Sequence, residues 1–348
     1  MEEAPRMKHY LLRISVLVLL LFSACSCLTE GSIQQLLEAK AEAPVFLDCK
    51  PVSSTEIIFR FSVPVRVVSV NFDPVLNAES IDEGREVRVT LDQSPGEGKK
   101  ITADILVEDE NRNSLNVIVP FRARNDRMPT LVFNELRFDN SGVKVEFVEF
   151  IAQESGNLGA MRLYIAHQSL SNPFYEFPPA EVKAGDYIVL HTRSVEEGCV
   201  DETGTNLGLS AGVDAQKNAR DFWIPGNKKY LHNTNGLWLT DQDDRIIDAL
   251  LICETADLGG ISAALRKTFT AAAEFLGREK AWLPASGEIP RDGWIPEPSD
   301  AVLTKGTTNT RTLCRDEKIL HARRAGNWYI TATSNATPGT SNSTKRYQ

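Results

Sequence analysis

Three glutamates lie within two strand-like runs of the segment LVFNELRFDNSGVKVEFVEFIA: Glu135, Glu146 and Glu149. Carboxylates can act as general acids or bases or as metal ligands, and acids are unusual in strands, which favour β-branched and aromatic residues. Glu146 and Glu149 are three residues apart, so a regular strand points them to opposite faces. The spacing therefore predicts no carboxylate pair within this strand, and favours bonds to backbone or to Arg137 or Lys144.

The segment GLSAG matches the nucleophile-elbow pattern and places Ser210 at its centre. That motif works on a sharp strand-to-helix turn in an α/β sheet. Here the flanks TGTN and VDAQK lie in β-rich surroundings without repeated β–α alternation. We therefore expect that Ser210 is not a nucleophile, and we predict a protein that is not an enzyme.

The histidines and cysteines show no metal-site spacing. No H-x-H, H-E-x-x-H or C-x-x-C pattern occurs, so the sequence predicts no metal centre and no cofactor. We expect each histidine after the leader at a surface or a strand edge: His167, His191, His232 and His321. One disulfide among Cys199, Cys253 and Cys314 is compatible with an oxidising compartment, with Cys49 also available, and the spacing does not choose the pair.

Two polar turns contain oxygen-rich clusters. In TDQDDR, the calcium candidates are Asp241, Asp243 and Asp244, because hard cations prefer clustered oxygens. The favoured interpretation is a solvated β-turn, since Asp stabilises turns by bonding its own backbone. The segment DENRNS begins like a calcium loop but lacks its glycine and its final glutamate, which predicts a hairpin turn.

Aromatic residues on the predicted long loops and insertion form a candidate ligand surface. Its members are Phe222, Trp223, Tyr230, Trp282 and Trp294. Large aromatics on loops give contact area at small entropic cost and often bind protein or carbohydrate. The alternative is that they pack over the outside of an enlarged sandwich.

The overall composition is that of a globular protein with a real core. The chain has 348 residues, 42% hydrophobic and 24% charged, with a net charge of −9. Nucleic-acid binding needs clustered Lys and Arg, so we expect no nucleic-acid partner.

The N-terminus is predicted to be a leader. A basic stretch precedes the apolar run ISVLVLLLFSA, which is short for a membrane span and typical of a signal peptide. The following FSACSC resembles a bacterial lipobox, which implies a signal peptide at 1–24 and a lipid on Cys25, with Cys27 as a rival acceptor and Met7 as an alternative start. Residues 25–43 then form a polar tether, and the protein is expected on a membrane of the bacterial cell envelope.

Short strand-like runs separated by turn residues follow the tether. IIFRFSVPV and ADILVEDENRNSLN resemble bacterial Ig-like domains of cell-surface proteins, which implies a β-sandwich at 44–127. The polar linker RNDRMPT then marks a domain boundary.

The remainder resembles the lamin-tail domain, an Ig-like β-sandwich. The motifs that carry the resemblance are LVFNELRF, VEFVEFIA, YEFPPAEVKAGDYIVLH, GLWLTDQDDRIIDAL and NWYITATSNATPGTSN. The resemblance implies a second sandwich at 128–342, expanded by an insertion at about 254–310. An apolar stripe predicts a helix over about 260–279 within that insertion, and the polar tail is expected to fray after about residue 342.

The expected fold is therefore mainly β, with two Ig-like β-sandwich domains. The leading functional hypothesis is a non-enzymatic, lipid-anchored envelope protein that binds protein, glycan or envelope polymer, or that acts as a structural spacer. The alternative is an accessory module of a secreted hydrolase, or a hydrolase formed by the insertion with Glu274, Glu279 and Glu288.

Overall fold

The computed structural model describes residues 43–288, 290–320 and 323–348. The predicted leader, Cys25 and all but the last residue of the predicted tether lie outside the described residues. Within the described part, no helix is both long and apolar enough to cross a membrane.

The N-terminal unit is one six-stranded sheet in which every pair is antiparallel. The strand order is β3-β4-β2-β5-β6, and β1 pairs additionally with β2. Its strands are β1 Phe46–Pro51, β2 Glu56–Asp73, β3 Ala78–Asp82, β4 Gly84–Leu91, β5 Lys100–Glu108 and β6 Ser114–Arg122. The strand-rich character predicted for this part of the chain is confirmed.

Strand β2 is long enough to serve two sets of partners. Its first part pairs with β1 and β4, and the part from Arg66 onward pairs with β5. The register breaks between Arg60 and Val65, where Pro64 offers no N–H to continue a ladder. Alternate residues of β4 and β5 are buried, including Val87, Val89, Ile101, Ala103, Ile105 and Val107. This two-residue period is that of strands with one face on a core.

The turn DENRNS is the hairpin connection between β5 and β6, as predicted. Asp109 Oδ1 accepts the backbone N–H groups of Asn111 and Asn113, each at 2.8 Å. The Asn113 side-chain amide donates to the other oxygen of Asp109, also at 2.8 Å. The Asp109 carboxylate is thus occupied by its own turn.

The C-terminal unit has two main sheets and one small one. The six-stranded sheet has the order β14-β13-β8-β7-β18-β19, the five-stranded sheet β11-β10-β15-β16-β17, and the small sheet β12-β9. The β13–β14 and β16–β17 pairs are parallel, so both main sheets are mixed. Their strands are β7 Leu131–Arg137, β8 Phe147–Ala152, β9 Gly156–Asn157, β10 Arg162–Ile165, β11 Tyr175–Glu176, β12 Glu181–Val182, β13 Tyr187–His191, β14 Ala219–Trp223, β15 Asn235–Thr240, β16 Ile246–Cys253, β17 Val302–Leu303, β18 Leu313–Arg315 and β19 Trp328–Ile330.

One apolar core joins the two main sheets. Phe133 and Phe150 of the six-stranded sheet belong to the same buried cluster as Leu163, Leu237 and Leu251 of the five-stranded sheet. Side chains alternate between faces along a strand, so the neighbours of these residues lie on the outer faces. The outer face of the six-stranded sheet carries most of the chemistry described below.

The predicted helix is confirmed as α1, Ala263–Arg278, capped by the Ser262 hydroxyl at 3.4 Å from the Leu265 N–H. It packs on β15 and β16 through buried Phe269, Ala272 and Leu276. Gly236 of β15 permits this approach, because a Cβ there would lie 2.5 Å from the Ala272 Cβ.

The predicted insertion also supplies β17, which extends the five-stranded sheet beside β16. Thus the 254–310 segment is built into this unit.

The predicted fraying of the tail is wrong. The Tyr347 N–H donates to the Ile330 carbonyl at 2.8 Å, and Arg346 forms a β-bridge with Thr331. The guanidinium of Arg346 also lies 4.3 Å from the ring centroid of Tyr329. These contacts hold the last residues along β19.

Candidate functional site

The structure pairs two of the glutamates across strands. A register shift between Phe133 and Glu135 places Glu135 opposite Glu149 of β8. Both side chains are fully buried. The spacing argument concerned Glu146 and Glu149 within one strand, and it did not reveal this cross-strand pair, which depends on the register between two strands.

The C-terminal segment TPGTSN supplies hydrogen-bond donors to this pair. The Thr337 N–H lies 3.1 Å from both carboxylate oxygens of Glu135, and its hydroxyl donates at 3.3 Å. Glu149 accepts from the Gly339 N–H and, at 2.8 Å, from the Asn134 side-chain amide. The motifs LVFNELRF and TPGTSN, about 200 residues apart in sequence, are therefore joined by hydrogen bonds at the buried glutamates.

The environment of the pair favours a bound proton. Burial and the neighbouring Glu135 raise the pKa of Glu149 well above its ordinary value. Burial also raises the pKa of Glu135, although its donors and nearby Arg137 act in the opposite direction. The adjacent Cys314 thiol has a raised pKa for the same reason, burial, with Glu135 adding to it. We infer that Glu149 is the protonated partner and that the site is architectural.

We expect Glu149→Gln to gain thermal stability relative to the parent as the pH rises from about 5 to about 8. The folded protein holds the Glu149 proton more tightly than the unfolded chain does. This contribution to stability is fully present below the ordinary pKa of 4.5 and is lost as the pH rises through the folded-state pKa. Melting temperatures of parent and variant across this range provide the measurement.

The matched control is Glu110→Gln, which removes a carboxylate from an exposed turn position. A difference in melting temperature between Glu149→Gln and the parent that does not change with pH would contradict the assignment.

The third glutamate has a different partner from those predicted. The Glu146 carboxylate bonds the guanidinium of Arg193, and both side chains are buried. Arg137, one of the two predicted partners, instead pairs with Asp214 at 2.7 Å. Lys144 contacts Ser141 through a short turn. The predicted partners of Glu146 are near it in sequence. The partners in the structure are distant, because folding brings Arg193 to Glu146 and Asp214 to Arg137.

His191 lies inside the molecule rather than at a surface or edge. Its Nε2 is 2.8 Å from Asp221 Oδ1, and its ring stacks on Trp223 with centroids 3.8 Å apart. The side chain is fully buried, because β13 is flanked on both sides by other strands. The His–Asp pair is therefore closed off from solvent.

Ser210 lies in a loop, without the strand-to-helix turn that its motif requires. The backbone N–H groups of Leu209 and Ser210 both donate to Glu202 Oε1 at 3.0 Å. Glu202 also accepts from the Asp221 N–H at 3.1 Å, so this acid fastens the loop to β14. The geometry gives Ser210 no general base among these contacts.

Three of the five predicted ligand-surface aromatics are buried, which corrects the expectation that they form an exposed surface. Phe222 and Trp223 belong to β14, which pairs with β13, and Trp282 donates its indole N–H to the Asp300 carbonyl at 2.9 Å. Tyr230 and Trp294 are half-buried. Replacing Trp223 would consequently test packing rather than binding.

The three aspartates proposed for calcium are instead engaged in ion pairs. Asp243 contacts Lys50 at 3.3 Å and Arg124 at 3.2 Å. Asp241 pairs with Arg245 at 2.9 Å, and Asp244 pairs with Arg162 at 2.6 Å. Their arrangement is a turn whose carboxylates join neighbouring elements through ion pairs.

The structure brings together two histidines that the sequence left apart. The ring centroids of His167 and His232 are 4.1 Å apart. Burial lowers the pKa of His232 to about 4, helped by His167 and Lys229, and burial with Lys228 lowers the pKa of His167. The nearby lysines disfavour a bound metal cation, so we do not interpret the two histidines as a metal site. His321 lies outside the described residues.

The predicted disulfide is not formed, since all four described cysteines are free. Cys253 belongs to the core between the two main sheets. Cys314 instead adjoins the buried glutamates of β7 and β8, and Cys199 lies beside Gly212 in a loop. Cys49, in β1, is in the other unit. The four thiols thus belong to separate parts of the fold.

The acids on which the hydrolase alternative depended are Glu274, Glu279 and Glu288, and all three are exposed. Glu274 lies within α1 and Glu279 caps its C-terminus. No cluster of three or more metal-ligating side chains occurs in the described part of the chain.

An open cleft of about 580 Å³ lies between the N-terminal and C-terminal units. We call it the interunit cleft. Its charged lining residues are six cations and four acids: Lys50, Arg60, Lys100, Arg122, Arg124, Arg162, Asp48, Glu176, Asp243 and Asp244. The cleft is therefore locally positive, although the whole chain has a net charge of −9.

Hydrogen bonds and an ion pair at the cleft connect the N-terminal unit to the C-terminal unit. Arg122 of β6 bonds Glu176 of β11 at 2.6 Å. The Asn125 N–H donates to the Gln242 side chain at 2.9 Å, and Gln242 returns a bond to the Asn125 carbonyl at 3.0 Å. Lys100, by contrast, is exposed at the cleft and takes part in no ion pair of the described residues. It is a cation available to a ligand.

Over residues 43–288, 290–320 and 323–348, these features define a mainly β protein with several antiparallel and mixed sheets, one α-helix and a polar cleft between two units. A family model described as "TP_1001_2nd: protein second domain" matches residues 129–330, more than half of the chain. The chain belongs to this family.

A relative in Treponema pallidum (strain Nichols), described as an uncharacterized protein, is 29% identical over 230 residues. The match covers 62% of this chain and 57% of that protein, less than two thirds of the relative's length.

Proposed function

We propose that this protein is a non-catalytic binding module of the bacterial cell envelope that takes an anionic ligand in the interunit cleft. The observation that carries this proposal is the cleft itself, an open cavity with an excess of cations in an acidic protein. Ligand sites are concave and often lie between domains, and an excess of one sign of charge in a cleft attracts ligands of the other sign.

The rest of the proposal concerns placement. A lipid on Cys25 and a tether at 25–43 would hold the protein at a membrane of the cell envelope. The finer fold assignment is an Ig-like sandwich at 44–127 and a lamin-tail-like sandwich at 128–342 with the insertion at 254–310. Motif order in the sequence supports this assignment, including the junction of NEL and TPGTSN around Glu135.

We expect Lys100→Ala to weaken binding of a carboxylated sugar oligomer by about fivefold to tenfold, which corresponds to about 1 to 1.4 kcal/mol. Lys100 is the exposed cleft lysine without an ion-pair partner among the described residues, so its removal costs attraction but little structure. Calorimetric titration of the full-length protein with oligogalacturonate provides the measurement.

Lys99→Ala is the matched control, because Lys99 is equally exposed and adjacent but does not line the cleft. If the two variants weakened binding equally, the effect would come from net charge alone, and the cleft would be overturned as the binding site. A screen of the same protein against phosphodiesters, esters and glycans separates binding from the hydrolase alternative.

A further inference from the structure

The segment that connects β6 to β7 passes from the N-terminal unit to the C-terminal unit, and it contains a buried asparagine, Asn125. The side-chain amide of Asn125 donates to the Asn157 carbonyl at 2.7 Å and to the Gly159 carbonyl at 2.8 Å. Its side-chain oxygen accepts the Arg127 N–H at 3.0 Å. Both amide hydrogens are therefore held by β9 and by the turn that follows it.

The backbone of Asn125 is bound by a different part of the C-terminal unit. The Gln242 side chain bonds both the N–H and the carbonyl of Asn125, as described for the cleft. Gln242 lies in the turn between β15 and β16. Four hydrogen bonds thus fix this one residue of the connecting segment to two elements that are distant in sequence.

The N-terminal unit meets the same place through the loop that precedes β5. Gly98 of this loop has a φ of +61°, and its backbone packs directly on that of Gly159. A Cβ at Gly98 would lie 2.5 Å from the Gly159 Cα. The Ala123 N–H, at the start of the connecting segment, donates to the Lys99 carbonyl at 2.8 Å. The two units therefore touch backbone to backbone beside Asn125.

These contacts form what we call the interunit junction, which consists of Gly98, Asn125, Gly159 and Gln242. Relative motion of two units in one chain is the default expectation unless their interface is large and apolar. A hinge motion of the connecting segment would draw the Asn125 amide away from both of its carbonyl partners, and a buried polar group is costly to leave unpaired. The junction therefore opposes opening and closing of the interunit cleft.

We propose that Asn125 is a positioning residue that couples the two units into one cooperative body and fixes the width of the interunit cleft. Asn125 does not line the cleft, so it affects a ligand only through the geometry of the two walls. A cleft whose walls are already fixed requires less ordering when a ligand binds. The coupling of the units is independent of the proposed function, whereas the effect on ligand affinity rests on it.

Differential scanning calorimetry of the full-length protein tests the coupling. The parent should unfold in one transition, with equal calorimetric and van't Hoff enthalpies. Asn125→Ala should split it into two transitions, because each unit keeps its own core and loses the junction. Asn113→Ala is the matched control, since it removes the 2.8 Å bond from an asparagine amide to Asp109 within the β5–β6 hairpin. It should shift the single transition without splitting it.

A second variant, Gly159→Ala, disturbs the junction from the opposite side. Its methyl carbon would lie 2.9 Å from the Gly98 Cα. This variant should also split the transition, and it decides the question if Asn125→Ala gives no folded protein. Two transitions in the parent overturn the proposal. A single transition in Asn125→Ala, or in Gly159→Ala where it takes the place of that variant, also overturns it.

The same variants test the effect on the cleft. In titrations with oligogalacturonate, Asn125→Ala should bind about threefold to tenfold more weakly than the parent, because apparent affinity falls with the fraction of molecules that hold the binding geometry. Asn113→Ala should bind like the parent. Unchanged affinity in an Asn125→Ala protein whose transition has split would overturn the positioning role. No binding by the parent would overturn the proposed function and leave the coupling of the units standing.

Discussion

Replacing Asp248 with alanine is expected to lower the free energy of unfolding by about 3–5 kcal/mol. Asp248 of β16 bonds Arg315 of β18 at 2.6 Å and accepts the Phe133 N–H of β7 at 2.9 Å. All of these groups are buried between the two main sheets. The variant would take the Asp248 carboxylate away from a buried guanidinium, which is the costly way to break an ion pair. Urea denaturation followed by circular dichroism measures the change.

A double variant separates the missing charge from lost packing. Asp248→Leu combined with Arg315→Met replaces the pair with apolar side chains and should recover about half of the loss, because such exchanges are often close to neutral. Lys280→Ala is the control for an ordinary surface pair, since Lys280 and Asp292 are 66% and 93% exposed. It should leave stability unchanged. A loss from Asp248→Ala no larger than that of the control would contradict the assignment.

Ending the chain after Ala336 is expected to destabilise the protein by about 4 kcal/mol or more, because buried carboxylates lose their donors. The truncation removes the Thr337 groups from Glu135 and the Gly339 N–H from Glu149. It also opens the outer face of the six-stranded sheet to water. Chemical denaturation and the yield of folded protein report the effect.

Ending the chain after Asn342 is the matched control. This variant keeps Thr337, Gly339 and Asn342, whose side-chain amide donates to the Asn134 side chain at 2.8 Å and to the Arg315 carbonyl at 2.9 Å. It loses the last pairings along β19 and the contacts of Arg346 with Asp316 and of Tyr347 with Arg311, and it should remain folded. If the two truncations proved equally destabilising, the tail would act through β19 and not through the glutamates.

The buried glutamates and the buried histidine show that the residues with the most reactive side chains are not the best guides to function. The glutamate pair and the His191–Asp221 pair are sealed by loops and by the C-terminal segment. Most of their polar atoms bond other groups of the protein, although His191 Nδ1 has no hydrogen-bond partner among the described residues. Charged groups that remain available to a partner lie at the interunit cleft.

The sequence alone determined the mainly β character, the positions of the longer strands and the helix α1. These depend on local hydrophobic periodicity and on turn residues, which are visible within a short window. The hairpin at Asp109 was predictable for the same reason, because its hydrogen bonds join residues four or fewer positions apart.

The tertiary structure decided what those local patterns could not. Strand register placed Glu135 against Glu149, and a distant loop supplied Asp214 to Arg137. Tertiary packing decided the burial of Phe222, Trp223 and Trp282. The spacing of aromatic residues along the sequence is the same whether they lie in a core or on a surface. The interunit cleft depends on elements far apart in sequence, because strands β1, β5 and β6 of one unit meet β10 and the turn between β15 and β16 in the folded chain.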